Sequence, residues 1–480
     1  MIGFTALGIL LGALPGINVS MSLILALPLT YNMDSKTAMC VLLSCYVGAM
    51  SGGLISAIAL NIPGTGSSIA TTFDGHPMAQ QGRAGEAISV GILTSFVGGA
   101  ISFILLIFIA PLLASVALKF GPWEYFAVGV FSITMIISVA GDDLLKGVLA
   151  AFFGMCLATT GTDPIGYVNR YNFGLTAFNG GVTTTALLCG MFAIPELLKL
   201  AYNLDDKSAS VIKVEKVKGY GISLKNYLSH WKNIIVSALI GAYVGILPGI
   251  GGSSASLLAY LTQKNNAKDP EMYGKGNIAG LIASETANNA CIGGSIIPML
   301  ALGVPGSSTS AIVMSALALH NVQCGPLVFS QNVNLVYIIF AIFFIANAIM
   351  LIVERVVLPG YLKVLLAPRR IIMVVIMLMC FLGAYSARGS YADVFVFVIG
   401  GAIGYFLTKA NINRAPIILG YILSGMIELN LGRALSVSRG KWTAVFSRPI
   451  ALVFLAIAVF SLTRSLIKSI KNQKKRQEIA

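Results

Sequence analysis

"LNIPGTGSS" occupies Leu60–Ser68, and "LGVPGSSTS" occupies Leu302–Ser310. Each lies in a long apolar stretch. Proline removes a helical donor and clashes one turn back, and glycine loosens the backbone. Hydroxyl groups follow both Pro-Gly pairs. The pattern predicts two broken or re-entrant helices, one in each half of the chain, each ending in a cluster of alcohols.

The composition says what surrounds these helices. Of 480 residues, 56% are hydrophobic and 10% charged, and the mean hydropathy is +0.85. A soluble protein of this length carries about 25% charged residues. Apolar spans fall near 2–30, 37–72, 87–118, 123–141, 144–160, 180–200, 233–262, 277–320, 334–358, 371–387, 391–408, 414–430 and 449–467. Many reach the roughly 20 residues that cross a hydrocarbon core. The expected fold is an all-α polytopic membrane protein with about eleven to thirteen transmembrane or re-entrant segments. The first apolar run reads as a membrane segment, not a cleaved leader.

The net charge of +14 does not point to nucleic acid. Lys207, Lys213, Lys216, Lys218, Lys225 and Lys232 fill one central polar stretch. Arg464, Lys468, Lys471, Lys474, Lys475 and Arg476 fill the tail. Both flank apolar spans, so the positive-inside rule assigns them to the cytoplasm. The seven cysteines form no Cys-x-x-Cys pair and imply neither a disulfide framework nor a metal.

The spans 37–72 and 277–320 are too long for one ordinary crossing, and each holds a Pro-Gly. They belong to a wider repetition. "GALPGINVS" (Gly12–Ser20) matches "GILPGIGGS" (Gly245–Ser253). "SGGLISAIALNIPGTGSS" (Ser51–Ser68) matches "GGSIIPMLALGVPGSSTS" (Gly293–Ser310), offset by 242 residues throughout. His76 and His320 follow the two breaks. The chain reads as an internal two-fold repeat of units of about 200 residues. Residues 1–200 form the first repeat and 201–232 a cytoplasmic basic connection. Residues 233–330 form the second repeat core, 331–467 the C-terminal helices and 468–480 a basic cytoplasmic tail.

Irregular backbone at membrane depth survives only where protein buries it or a wet cavity hydrates it. Four matched breaks therefore point to one polar cavity, a design common in secondary transporters. The breaks carry no Lys, Arg, Asp or Glu. Free N–H groups at helix starts suit an anion without a fixed cation. Candidate substrate-binding residues are Pro15, Gly16, Asn18, Asn61, Pro63, Gly64, Thr65, Ser67, Ser68, Pro248, Gly249, Ser253, Ser254, Pro305, Gly306, Ser307, Ser308 and Thr309. The bland alternative is that these Gly and Ser residues only let helices pack closely.

"SETANNA" (Ser284–Ala290) places Glu285 in an otherwise uncharged span, with Asn288 and Asn289 near the same helix face; these two amides are further substrate-binding candidates, able to bind a carboxylate or complete an ion site. An intramembrane carboxylate is a candidate ion-coupling group. Alternatively Glu285 caps a helix or pairs with Lys275. "DGHPMAQQGRAGE" (Asp74–Glu86) reads as an interfacial loop. There Asp74 is a second ion-coupling candidate or a turn residue. Asp142, Asp143, Asp163 and Arg170 read as solvated anchors at span ends. No nucleotide loop, nucleophile elbow or zinc-protease motif supports an enzyme. A channel or a membrane-embedded enzyme are the competing classes.

The stretches "GALPGINVSMSLILALPLTY", "NIPGTGSSIATTFDGHPMAQQGRAGEAI", "ASETANNACIGGSIIPMLALGVPGSSTSAIVMSALALHNVQCGPLVF" and "GYILSGMIELNLGRAL" resemble the large membrane subunit of the tripartite tricarboxylate transporters. The chain begins nearer its first Leu-Pro-Gly than that pattern implies, as if an N-terminal segment were missing or replaced. Asn18 also stands where the second copy has Gly251. The resemblance implies a multi-pass protein of the bacterial inner membrane. It would import di- or tricarboxylates such as citrate, with Na⁺ or H⁺ as coupling ion and no cofactor. Its partners would be a small four-helix membrane subunit and a periplasmic solute-binding protein. Alternating access between inverted repeats is the expected mechanism.

Overall fold

A computed structural model of the chain describes residues 1–139, 144–202, 214–215, 219–364, 369–386 and 388–479. The chain is helical almost throughout. In order the helices are α1 (Ile2–Ala13), α2 (Val19–Ala26), α3 (Ser35–Leu60), α4 (Ile69–Met78), α5 (Ala84–Ala117), α6 (Pro122–Val139) and α7 (Leu144–Ala158). Then come α8 (Thr184–Tyr202), α9 (Leu224–Ser229), α10 (Trp231–Ile246), α11 (Gly251–Asn265), α12 (Ile278–Leu302) and α13 (Ser308–Leu319). The last are α14 (Val328–Gln331), α15 (Val333–Val364), α16 (Arg369–Ser386), α17 (Tyr391–Lys409), α18 (Ala415–Val437) and α19 (Pro449–Ile479). Among the described residues the only strands are the two-residue pair β1 (Gly161–Thr162) and β2 (Asn169–Arg170).

Among the described residues, six helical runs are long and apolar enough to cross a bilayer: Ser35–Leu60, Gly66–Ala117, Val333–Val364, Tyr391–Lys409, Ala415–Val437 and Pro449–Ile467. Several shorter apolar helices, α1, α10 and α13 among them, begin or end at the Pro-Gly breaks. The expectation of an all-α polytopic membrane protein holds. Lys207, Lys213, Lys216, Lys218, Asp142 and Asp143 lie outside the described residues, as do the side chains of Lys468, Lys471, Lys474, Lys475 and Arg476.

The chain packs as two units that do not follow its linear order. The first comprises Met1–Leu112, Glu196–Ile246 and Ile250–Cys380. The second comprises Leu113–Pro195, Leu247–Gly249 and Phe381–Ala480. The helices on either side of 201–232, α8 from Glu196 onward and α10, are both part of the first unit.

Apart from Leu247–Gly249, which group with the second unit, both copies of the repeated motifs lie in the first unit, in the same order. α1 ends, a Pro-Gly break intervenes and α2 begins; α10, a Pro-Gly break and α11 repeat this. A long helix follows in each copy, α3 with 26 residues and α12 with 25. Asp34 and Asn277 cap their starts by accepting backbone N–H bonds. At their ends Asn61 and Gly303 turn left-handed, at φ 57° and 71°. The two long helices are the interior of the unit. Residues 41–59 of α3 and 279–301 of α12 are all buried. That enclosure is why α12 tolerates the polar run Ser284–Asn289.

Glycine lets these helices approach. A Cβ on Gly8 or Gly12 of α1 would lie 2.4 or 2.2 Å from a carbonyl oxygen of α3. A Cβ on Gly48 or Gly52 of α3 would meet α1 as closely, at 2.3 and 2.2 Å. The second copy does the same, with Gly241 2.3 Å from the Ala287 carbonyl and Gly294 2.3 Å from that of Ala242. Small residues four apart are the usual means of close helix contact where hydrophobic burial gives no driving force. For these glycines the packing reading is correct.

In the second unit, Arg170 pairs with Glu428 at 2.5 Å and lies 3.9 Å from Asp163. The pair fastens the β1–β2 hairpin to α18, so Arg170 and Asp163 are partners in a fixed corner and more than solvated anchors. Two backbone N–H groups, of Ile165 and Gly166, chiefly hold the Asp163 carboxyl below its ordinary range, with Arg170 adding to them.

Replacing Gly12 or Gly306 by Ala would drive a methyl to about 2 Å from a backbone oxygen, at Ala49 and Gly245 respectively. Each substitution is expected to destabilise by about 1–3 kcal/mol. Gly3, with nothing within 4 Å of its Cβ position, should tolerate Ala. Thermal unfolding in detergent checks the difference; equal midpoints for all three variants would contradict the close approach.

Candidate functional site

The second break of each copy is built alike. Thr65 caps the turn Gly66–Ser68, and its N–H donates to Ser68 Oγ at 3.2 Å. Ser307 caps α13; its N–H donates to Ser310 Oγ at 2.9 Å, and Ser310 N–H returns to Ser307 Oγ at 3.1 Å. These are reciprocal capping boxes. A box satisfies the cap and third amides and leaves the first two. Among the described residues no acceptor meets the N–H groups of Gly66, Ser67, Ser308 and Thr309.

Gly64 and Gly306 seat the boxes. Cβ atoms there would lie 2.2 Å from the Gly12 carbonyl and 2.1 Å from the Gly245 carbonyl. Each second break thus rests on the helix that ends in the first break of its own copy. Pro63 and Pro305 precede these glycines and supply no donor to compete.

The copies then exchange contacts. Ser20, in the first turn of α2, lies 3.2 Å from Ser308 Oγ and 3.0 Å from Thr309 Oγ1 at the start of α13. Reciprocally, Ser256 of α11 donates to the Ser67 carbonyl at 2.7 Å. Ser253 Oγ is 3.2 Å from the place a Cβ on Gly66 would take. Between these clusters the two long helices touch. Asn288 Nδ2 donates to the Met50 carbonyl at 3.1 Å, and the Tyr46 hydroxyl is 3.2 Å from Ser295 Oγ.

Of the sequence candidates, Gly64, Thr65, Ser67, Ser68, Ser253, Asn288, Gly306, Ser307, Ser308 and Thr309 come together in this way. Asn18 caps α2, its Oδ1 accepting from Met21 N–H at 2.8 Å. Pro15 and Gly16, with φ 92° at the glycine, form the turn before it. Asn61 is the exposed left-handed end of α3. Ser254 is half-buried on α11 and takes no part in these contacts. Asn289 donates to the Glu285 carbonyl one turn back, at 3.2 Å. Pro248 and Gly249 group with the second unit, where Gly249, at φ 83°, approaches Ile136.

Glu285 neither caps α12 nor pairs with Lys275. It is fully buried, eight residues into the helix, and accepts hydrogen bonds from Thr71 of α4 and from Ser95 of α5, the latter at 3.1 Å. Asp74 is different. Its Oδ1 accepts the N–H groups of Gly274, Gly276 and Asn277 at 2.9, 2.9 and 2.7 Å, tying α4 to the turn that starts α12.

The expected interfacial loop at Asp74–Glu86 is instead helical. α4 runs into a π-helical turn, Ala79–Arg83, and then α5, with a kink at Gly82 (φ 78°). Its polar residues looked loop-like because their partners are remote in sequence. His76 Nδ1 donates to the Ile58 carbonyl at 2.9 Å, and Gln81 donates to the Lys275 carbonyl at 2.8 Å. Arg83 and Glu86 pair with one another at 2.8 Å.

Sequence reasoning missed Ser20, Tyr46, Ser256 and Ser295, whose roles depend on pairing across the copies. It also missed Glu354, a fully buried acid in α15 that accepts from Ser51 at 2.6 Å. The rule that picked out Glu285, a carboxylate within an apolar span, applies equally to Glu354. Among the described residues no three His, Cys, Asp or Glu side chains converge. A hard cation held here would rely on hydroxyl, amide and carbonyl oxygens.

Asp74→Ala would leave three backbone N–H groups without their acceptor. A stability loss of about 1–3 kcal/mol is expected. Thermal unfolding measures it, and an unchanged midpoint would contradict the anchoring role.

Residues 1–419 match the family described as the tripartite tricarboxylate transporter TctA family. Two curated relatives come from Agrobacterium vitis. One, named as an uncharacterized 52.8 kDa protein in the TAR-I ttuC' 3' region, is 34% identical over 98% of this chain and 93% of its own length. The other, named as an uncharacterized protein in the TAR-II ttuC' 3' region, is 32% identical over 49% of this chain and 97% of its own length. No solved structure matches. The family match across both copies of the motif, together with the broken helices they form, makes this chain a multi-pass membrane transport subunit that belongs to the tripartite tricarboxylate transporter TctA family.

Proposed function

We propose that the chain is the large membrane subunit of a binding-protein-dependent secondary transporter that imports di- or tricarboxylates across the bacterial inner membrane. The observation that carries this reading is the pair of capping boxes, each with two successive unclaimed N–H groups beside alcohol side chains. Such a helix start attracts a carboxylate through oriented donors and the positive end of the helix dipole, worth about 0.3–2 kcal/mol per terminus. No Lys or Arg is needed, so the anion is released as readily as it is bound.

In the proposed cycle a periplasmic binding protein delivers the anion, and a small membrane subunit of about four helices completes the assembly, as membership of the tripartite family implies. The Ser20–Ser308–Thr309 and Ser67–Ser253–Ser256 contacts part and re-form as one repeat-derived bundle moves. Na⁺ or H⁺ supplies the driving force. Glu285 suits the coupling role better than Asp74, because three amides already hold Asp74 in place.

Uptake of labelled carboxylates into proteoliposomes containing both membrane subunits tests the reading. Uptake is expected to require the binding protein and an ion gradient. Ser307→Ala and Asn288→Ala should raise the half-saturating concentration about tenfold, the equivalent of about 1.4 kcal/mol, with expression unchanged. Uptake that persists without gradient and binding protein, or normal kinetics in both variants, would contradict it.

A further inference from the structure

Two carboxylates, Glu285 on α12 and Glu354 on α15, have no exposed surface, and both belong to the first unit. Their hydrogen-bond partners are uncharged: the alcohols Thr71 and Ser95 for Glu285, with the Asn288 amide beside them, and Ser51 for Glu354 Oε2. Glu354 Oε1 meets no partner. Both acids adjoin one turn of α3: Asn288, one turn along α12 from Glu285, donates to the Met50 carbonyl, and the next residue, Ser51, donates to Glu354.

No cation neutralises either one. α1 carries no ionisable side chain, and α3 carries Lys36 in its first turn, Cys40, Cys45 and Tyr46. On α4, Asp74 holds backbone amides and His76 bonds the Ile58 carbonyl. Glu86 of α5 pairs with Arg83, and α12 otherwise offers only Cys291. On α15, Arg355 neighbours Glu354 in sequence but stacks on the Tyr220 ring at 4.6 Å. Tyr361 donates to the Ala6 carbonyl, while Tyr337 and Lys363 stand near the two ends of that helix. Among the described residues, neither buried acid takes part in an ion pair.

Two ionised acids enclosed beside the same turn of α3, away from water and without a cation, are costly, and like charges at one site do not both ionise readily. One proton between them removes half the charge. Ser and Thr partners suit either state, since a hydroxyl both donates and accepts. An intramembrane acid in such surroundings is a typical member of a proton pathway.

We propose that Glu285 and Glu354 form a proton-carrying pair that holds one proton in the closed interior and makes H⁺ the coupling ion. An O–H bond forms on a carboxylate oxygen when the pair meets water on one side, and the same bond breaks on the other. The coupling role rests on the transport reading above, whereas the shared proton does not.

Infrared spectroscopy of the purified full chain tests the proton directly. Exposed acids lose their protons near pH 4. A protonated-carboxyl stretch that shifts in D₂O should therefore persist at pH 7 in the wild type, and Glu285→Gln with Glu354→Gln should abolish it. Its absence from the wild type, which needs no variant to fold, would overturn the proposal, as would its survival in the double variant. In proteoliposomes, a gradient of one pH unit should raise accumulation about tenfold per coupled proton, and Glu354→Gln should remove that gain. Uptake that follows Na⁺ and ignores the pH gradient would overturn the coupling role. If the wild type moves no carboxylate at all, the transport reading fails, and the infrared band alone decides whether the pair holds a proton.

Discussion

A main-chain amide freed at membrane depth must find a partner in the protein or in trapped water. That requirement organises the first unit. The Pro-Gly breaks after α3 and α12 free several amides each. Local capping boxes take some of them, at Thr65–Ser68 and Ser307–Ser310. Hydroxyls of the opposite copy reach other atoms of the breaks, Ser20 the side chains that start α13 and Ser256 the Ser67 carbonyl, and the N–H groups of Gly66, Ser67, Ser308 and Thr309 stay open for trapped water or an anion. Each copy's breaks are thus seated on its own first helix and also reached by hydroxyls of the other copy.

Close glycine contacts make the arrangement possible. Gly64 and Gly306 lie on carbonyl oxygens at the ends of α1 and α10, so a break in one helix is seated on the end of another. Any side chain there would lift the capping box away. The glycines bring the backbones together, and hydroxyls and amides lie beside them; in the proposed function these are the groups that meet the substrate.

Much of this was legible in the sequence. The 242-residue offset located both breaks and their alcohol clusters, and there the structure places the capping boxes and the left-handed helix ends Asn61 and Gly303, because local backbone chemistry recurs with local sequence. The lone acid of α12, Glu285, stood out in an uncharged span. What was not legible depends on tertiary pairing. Asp74, His76 and Gln81 have loop-like composition and helical structure, since their partners lie on α3 and in the turn before α12. Pairings such as Ser20 with Thr309 join residues 289 positions apart. Glu354 carried a signal of its own, a lone acid within the apolar span of α15, but its partner Ser51 did not.

The meeting of the copies at Ser20 and Thr309 is the claim on which the site depends most directly. Disulfide trapping of a Ser20→Cys, Thr309→Cys variant, with each single variant as control, measures it. The account expects rapid oxidative cross-linking in the double variant alone, detected by mass spectrometry, because the two side-chain oxygens lie 3.0 Å apart. Failure to cross-link in a folded protein would mean that the breaks of the two copies do not face one another, and would contradict the account.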